Sequence, residues 1–209
     1  MRYRVRSQVW VWLLASLWAA AASGCKTMSQ ADCVAADWRA VGLADGSAGA
    51  PAERLERHRA ACARYRVEPD AEAYRRGREA GVELYCRPEN GYRVGSDGAR
   101  YEGACPAALE ASFLEEYRAG ARVYEASTRV RETESQLYQK QTRANEIAEK
   151  HSRRRESFLS DDVPVERKAQ LLEEMKALKS QHAELEKEIE TLTDELAERR
   201  AELRRAQER

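Results

Sequence analysis

Four cysteines between residues 33 and 105 constrain this chain most strongly, because they follow a segment with the layout of an export signal. An even number of cysteines in an exported chain predicts two disulfides. Of the three possible pairings, Cys33–Cys62 with Cys86–Cys105 is favoured, since each bond then closes a short local loop worth roughly 3 kcal/mol. Metal binding is the less favoured alternative, because the spacing lacks the Cys-x-x-Cys pairs of zinc sites.

The export signal occupies the first 24 residues. Arginines at positions 2, 4 and 6 precede an apolar run from Val9 to Ala22, which is too short to span a bilayer comfortably. The sequence Ala22-Ser23-Gly24-Cys25 resembles a bacterial lipobox. This resemblance implies that residues 1–24 are removed and that Cys25 becomes a lipidated N-terminus. The alternative is an ordinary signal peptide that leaves Cys25 as a free thiol.

The residues after Cys25 predict where the protein is held. Lys26, rather than aspartate, follows the cysteine, and by resemblance to envelope lipoprotein sorting this favours the outer membrane. Residues 25–32 then form a short lipidated tether. We expect lipid-anchored attachment to the outer membrane, with the protein facing the periplasm.

Composition excludes a single compact globule. Charged residues make up 34% of the chain, and the mean hydropathy is −0.77. These values favour a modest core joined to a long solvated element. The formal net charge is zero, and loss of the signal removes three arginines and no acidic residue. Nucleic acid is therefore not expected as a partner, because it calls for a clustered basic face.

Glycines and aromatic residues recur at helical spacing from residue 38 to residue 124. The series Trp38, Gly42, Gly46 and Gly49 steps by three or four, and the series Tyr74, Gly77, Gly81 and Tyr85 does the same. Later, Tyr117, Gly120 and Tyr124 repeat the offsets of Tyr74, Gly77 and Gly81. Glycine inside a helix costs roughly 1 kcal/mol. We therefore expect helices that cross closely at these glycines, and core packing explains the pattern better than a ligand groove.

The segment from Cys86 to Cys105 predicts a short β-hairpin or a turn-rich loop. Asn90-Gly91 and Asp97-Gly98 are turn dipeptides. Because loops on rigid scaffolds often carry function, this segment is also the candidate ligand loop. Its possible ligand residues are Tyr92, Asp97 and Tyr101.

The pattern of cysteine, glycine and aromatic residues resembles a known family, the domain of unknown function 2799. The resemblance covers about residues 30–125 and implies a small Gram-negative envelope lipoprotein, with no activity attached. It rests on Cys33, Asp37-Trp38, Gly42, Asp45-Gly46, Gly49, Cys62, Tyr74, Gly77, Gly81, Tyr85-Cys86, Gly91, Gly95, Gly98, Tyr101, Cys105-Pro106, Phe113, Tyr117 and Gly120.

Two long helices are predicted after residue 106. No glycine follows Gly120, and Pro164 is the only proline there. The composition favours helices over about 107–158 and 163–207, with Asp161 or Asp162 as the cap of the second. A heptad repeat in the second helix predicts a coiled coil. Its seam comprises Leu171, Met175, Leu178, His182, Leu185, Ile189, Leu192, Leu196 and Leu203.

The flanking charges of this heptad favour either a hairpin within one chain or a parallel homodimer, and the short turn favours the hairpin. The fold expected is therefore mainly α. A disulfide-stapled helical domain at 33–120 precedes a coiled-coil arm at 121–209, formed by two long helices. His182 on the seam and His151 on the weaker apolar stripe of the first helix are pH-switch candidates or, more plainly, polar residues that set the register.

The sequence favours a structural or interaction role over catalysis. No hydrolase, metalloprotease or phosphate-binding motif occurs, so we expect no catalytic residue, no cofactor and no metal. The predicted partners are the membrane, through the lipid anchor, and either another envelope protein or a second copy, through the arm. The alternative function is a binding module for peptidoglycan or another envelope glycan, through Tyr92 and Tyr101.

Overall fold

The computed structural model describes residues 28–208, so the predicted signal segment and the lipidation site Cys25 lie outside the described residues. This part of the chain forms seven helices and no strand. They are α1 (Gln30–Ala35), α2 (Trp38–Ser47), α3 (Arg54–Ala63), α4 (Ala71–Tyr85), α5 (Pro88–Ser96), α6 (Ala107–Leu159) and α7 (Val165–Gln207). The mainly helical fold with a C-terminal hairpin is confirmed.

We call residues 28–120 the head and residues 121–208 the arm. The predicted boundary at residue 120 falls inside α6, which runs without a break through 53 residues, or about 80 Å. The first part of α6 packs against α5 in the head, and the rest packs against α7. A single helix therefore joins the head to the arm.

Both predicted disulfides are present. Cys33 is bonded to Cys62 and Cys86 is bonded to Cys105, across 29 and 19 residues of sequence. Each bond lies in its own hydrophobic cluster: the first with Trp38 and Tyr74, the second with Phe113. The head thus has two small cores, each fastened by one disulfide.

Two helix crossings without intervening side chains build the head. In the first crossing α2 meets α4, and a Cβ atom on Gly77 would lie 1.9 Å from the carbonyl oxygen of Arg39. In the second crossing α5 meets α6, and a Cβ atom on Gly120 would lie 2.1 Å from the carbonyl oxygen of Tyr92. Only glycine permits such an approach of two backbones, which confirms the predicted close crossing.

The two crossings are copies of one arrangement. Gly49 and Gly98 each have a positive φ of 70°, and a Cβ atom on either would meet the ring of Tyr85 or Tyr124, respectively. The equal spacing in the sequence pairs Tyr117 and Gly120 with Tyr74 and Gly77. The structure corrects this register, because Gly120 takes the place of Gly81 and Tyr124 takes the place of Tyr85.

The hairpin alternative for residues 87–104 is wrong, and the turn-rich alternative holds only for part of the segment. Pro88 begins a nine-residue helix, α5, that ends at Ser96. Gly91 and Gly95 lie one turn apart and face the carbonyl oxygens of Phe113 and Tyr117. These glycines therefore serve a crossing and not a turn, and the irregular loop begins only at Asp97.

Candidate functional site

The three residues of the predicted ligand loop lie in different surroundings. Tyr92 belongs to α5 and is half-buried, whereas Asp97 is the exposed C-cap residue of that helix. The carboxylate of Asp97 accepts from Nη1 of Arg93 at 3.3 Å. Tyr101 lies in the loop itself, packed on the second core. The three side chains therefore do not share one exposed loop.

Tyr101 is committed to holding the second core together. Its hydroxyl donates to Oε1 of Glu110 at 2.9 Å and accepts from the backbone N–H of Cys105 at 3.0 Å. Its ring centroid lies 5.0 Å from that of Phe113. Burial raises the pKa of the Tyr101 hydroxyl, so it stays protonated and keeps donating. These contacts explain Tyr101 as a structural residue, while glycan binding stays a prediction.

A polar network in the first crossing was not predicted from the sequence. Oδ2 of Asp45 accepts a hydrogen bond from the hydroxyl of Tyr74 at 2.8 Å and lies 2.7 Å from Nε2 of His58. The His58 ring also makes edge contacts with Trp38 and Tyr74, at centroid distances of 6.0 and 5.8 Å. One carboxylate thus ties together α2, α3 and α4.

The hydrogen bonds of this network join three helices. Burial, followed by the hydrogen bond to Asp45, raises the pKa of Tyr74, so the phenol remains a donor. A histidine held by a carboxylate also occurs in hydrolases, but there the ring activates a nucleophile. Among residues 28–208, no serine, threonine or free cysteine hydrogen-bonds to His58.

In the second crossing, Val94 occupies the position that Asp45 occupies in the first, one residue before a crossing glycine.

Within the described part of the chain, no group of three or more histidine, cysteine, aspartate or glutamate side chains is placed to hold a metal ion. The same residues contain no helix that is both long and apolar enough to cross a membrane.

The predicted seam of α7 faces α6. Leu171 and Leu196 are buried, at 2% and 7% exposure. The α6 side of the contact contributes buried Val130, Ala144 and Ile147. The other seven predicted seam residues are half-buried, namely Met175, Leu178, His182, Leu185, Ile189, Leu192 and Leu203.

Ion pairs between the two helices flank the seam. Lys140 pairs with Glu188 at 2.5 Å, and Glu134 pairs with Arg200 at 2.8 Å. Nearer the turn, Glu174 accepts from Arg154 on the facing helix and from Arg167 on its own. Because residue numbers rise on one helix as they fall on the other, the pairs define an antiparallel hairpin.

His151 and His182 line one groove beside the hairpin, together with Ile147 and Leu178. The groove measures about 370 Å³. Nδ1 of His182 lies 3.4 Å from Oε1 of Glu186, one turn further along α7. The structure therefore brings His151 and His182 to the same place on the arm.

The end of the hairpin exposes apolar side chains. We call residues 158–165 the tip. Leu159 is 65% exposed and Val165 is 79% exposed, while Phe158 and Val163 are half-buried. The predicted capping by Asp161 or Asp162 is absent, because Pro164 is the N-cap of α7 and no side chain caps that helix. A tip of this kind offers a small apolar surface at the far end of the arm.

A model of a known protein family matches most of the head. Residues 37–122 match the model of a family described as protein of unknown function, DUF2799. This is the family that the sequence pattern predicted. No curated protein and no solved structure matches the chain.

Proposed function

Since residues 37–122 match the DUF2799 family model, whose description assigns no function, we propose that the chain is an outer-membrane-anchored lipoprotein. In this proposal the anchor at Cys25 holds the head at the membrane, facing the periplasm. The arm then docks another envelope protein. The observation that carries the docking role is the continuity of α6, which leaves the head and becomes one half of the arm without a break.

The continuity of α6 matters because a rigid helix fixes where the far end of the arm lies relative to the head. A flexible linker after the head would let a bound partner wander, whereas one helix of about 80 Å fixes the tip relative to the head. The exposed side chains of Leu159 and Val165 supply apolar contact area at that fixed place. Exposed apolar groups clustered at the end of a charged arm favour protein docking over a purely spacing role.

The anchor is tested by mass spectrometry and membrane fractionation of the chain produced in a Gram-negative host. We expect acyl chains on Cys25 and recovery with the outer membrane, both lost in Cys25→Ser. A wild-type chain that is processed elsewhere and recovered in the soluble periplasm would refute the anchoring.

Docking is tested by photocrosslinking in intact cells from Asp161 and Asp162, two exposed positions of the tip. The expected product joins the chain to a different envelope protein, and Leu159→Ser with Val165→Ser should reduce it severalfold. Tyr138→Ser with Leu172→Ser is the matched control, because both residues are exposed apolar side chains along the shaft of the arm. A crosslinked product of two identical chains would show that the arm binds a second copy of this chain and not a different protein. No product from either position would refute docking through the tip.

A further inference from the structure

Three arginines within and just after α3 have no acidic partner among the described residues. The segment from residue 54 to residue 66 contains five arginines and one acidic residue, Glu56. Arg54 and Arg59 lie within 4 Å of carboxylates, those of Asp45 and Glu56. The other three are exposed, have no ion pair among the described residues, and are called here the basic edge: Arg57, Arg64 and Arg66.

Arg66 stands where a glycine is expected. Its φ of 58° makes it the one non-glycine residue with positive φ among residues 28–208. It terminates α3, since its N–H donates to Ala63 and the N–H of Val67 donates to Cys62. Glycine is preferred at this helix-ending position because side chains strain the left-handed backbone. The arginine therefore works against local stability, and its positive charge supplies a reason for its presence.

A shallow groove lies between Arg66 and Arg59. It measures about 380 Å³ and is floored by Ala63, Val67 and Pro69, with Glu68 at its rim. Nε of Arg59 is buried without a hydrogen-bond partner. The guanidinium of Arg66 beside an apolar lining, with Arg59 nearby in an ion pair with Glu56, suits a group that is anionic at one end and hydrocarbon at the other.

The basic edge is held near the membrane anchor by covalent bonds. Cys62, which lies between Arg57 and Arg64 in the sequence, is bonded to Cys33. Cys33 follows Cys25 by only eight residues of sequence, which reach at most about 27 Å. Beside it, Val34 leaves 67% of its side chain exposed. The basic edge therefore stays close to any surface that holds Cys25.

We propose that the basic edge is a membrane-contact surface that takes anionic phospholipid headgroups. This inference rests on the proposed lipid anchor and adds a second, electrostatic attachment to it. The two attachments together restrain the orientation of the head, which a lipid chain alone leaves free. Each arginine near an anionic surface strengthens the attraction about fivefold, so three arginines contribute on the order of a hundredfold.

The test uses the full lipidated chain in vesicles that contain a photoactivatable headgroup lipid. One set of vesicles is phosphatidylcholine alone, and the other includes phosphatidylglycerol. Mass spectrometry measures lipid crosslinks within residues 57–68. We expect severalfold more crosslinks on the anionic vesicles, and loss of that excess at high salt because exposed charges are screened.

Two variants and a matched control make the test specific. Arg57→Gln, Arg64→Gln and Arg66→Gly together should remove the excess of crosslinks on the anionic vesicles. Arg66→Gly alone should lower that excess without lowering thermal stability, because glycine suits this backbone. The control, Arg100→Gln with Arg118→Gln and Arg122→Gln, removes the same charge from the second crossing and should behave as wild type.

The outcomes separate this inference from the anchoring proposal. A chain without lipid on Cys25 would refute both. A lipidated chain whose crosslinks ignore lipid charge, or whose triple variant matches wild type, would refute only the membrane contact. Inorganic phosphate is also added at constant ionic strength. If it removes the crosslinks while both vesicle types give equal signals, the groove binds a soluble phosphate and the proposal is overturned.

Discussion

In the head, helices cross at glycines and their backbones nearly touch, whereas in the arm two helices are held apart by interlocking side chains. The closest approach in the head would place a Cβ atom 1.9 Å from a carbonyl oxygen. The arm has no glycine, and most of its seam residues stay half-exposed. The head therefore has one tolerated geometry, while the arm has many weak contacts that can be lost one at a time.

The two regions also differ in what fastens them. Two disulfides hold the head, and each lies in a core. The arm has no covalent link beyond its turn and relies on apolar contacts with ion pairs at their edges. This contrast predicts that changes in the head destabilise the head as one unit and that changes in the arm act locally. The following four predictions test this, from the largest effect to the smallest.

Gly77→Ala should destabilise the head by more than about 3 kcal/mol, because the new methyl group meets the backbone of Arg39 and Leu43, which cannot move aside. The free energy of unfolding from urea titration measures it. Gly103→Ala is the control, since its φ of 73° adds strain of about 1 kcal/mol but its Cβ would meet nothing within 4 Å. Equal costs for the two variants would contradict the proposed backbone contact.

Loss of either disulfide should lower the free energy of unfolding of the head by between about 3 and 4 kcal/mol. Cys33→Ser with Cys62→Ser opens the longer loop, and Cys86→Ser with Cys105→Ser opens the shorter one, so the first should cost slightly more. Near-ultraviolet circular dichroism follows the tertiary packing of the head, and the helical far-ultraviolet signal that remains after that transition measures the arm. If the arm lost its helical signal at the same denaturant concentration as the head, the two regions would not differ as described.

Leu171→Ala should cost the arm about 2 to 3 kcal/mol, because Leu171 is 2% exposed on the seam. Its neighbour Leu172 is 42% exposed, and Leu172→Ala should change the stability by less than about 0.5 kcal/mol. Hydrogen exchange of the α7 amides measures both effects. Similar losses of protection in the two variants would show that the heptad register is different.

Glu174→Gln should lower arm stability slightly at neutral pH and flatten its acid limb. Its hydrogen bond to Arg154 holds the pKa of Glu174 below its ordinary value. The contribution of Glu174 is therefore present above the unfolded pKa, near 4.5, and is lost as the pH falls through the lower folded value. The variant should unfold with a weaker pH dependence below about pH 4.5. Glu173→Gln is the control, because Glu173 pairs only with Lys176 on the same helix. A wild-type acid limb in Glu174→Gln would contradict this role.

The sequence predicted the features that depend on local pattern. Cysteine spacing gave the disulfide pairing, the glycine series gave the close crossings, and the heptad gave the seam of the hairpin. Each of these follows from residues a few positions apart or from loop length. They are the features for which periodicity is physically informative.

Features made by long-range contact were missed. Asp45 meets His58 and Tyr74 across 13 and 29 residues of sequence, and no local pattern marks that meeting. The error at α5 has a different cause. Asn90-Gly91 and Asp97-Gly98 favour turns locally, but the packing of Gly91 and Gly95 on α6 overrides the local preference at the first of them.

The most direct test of the account is native-state hydrogen exchange along α6 in the full chain. The account predicts continuous protection from residue 113 in the head to residue 147 in the arm, because one unbroken helix joins the two. Fast exchange confined to residues around 120–128 would show a hinge there. In that case the arm would not hold its tip at a fixed position relative to the head, and the proposed docking arm would lose its physical basis.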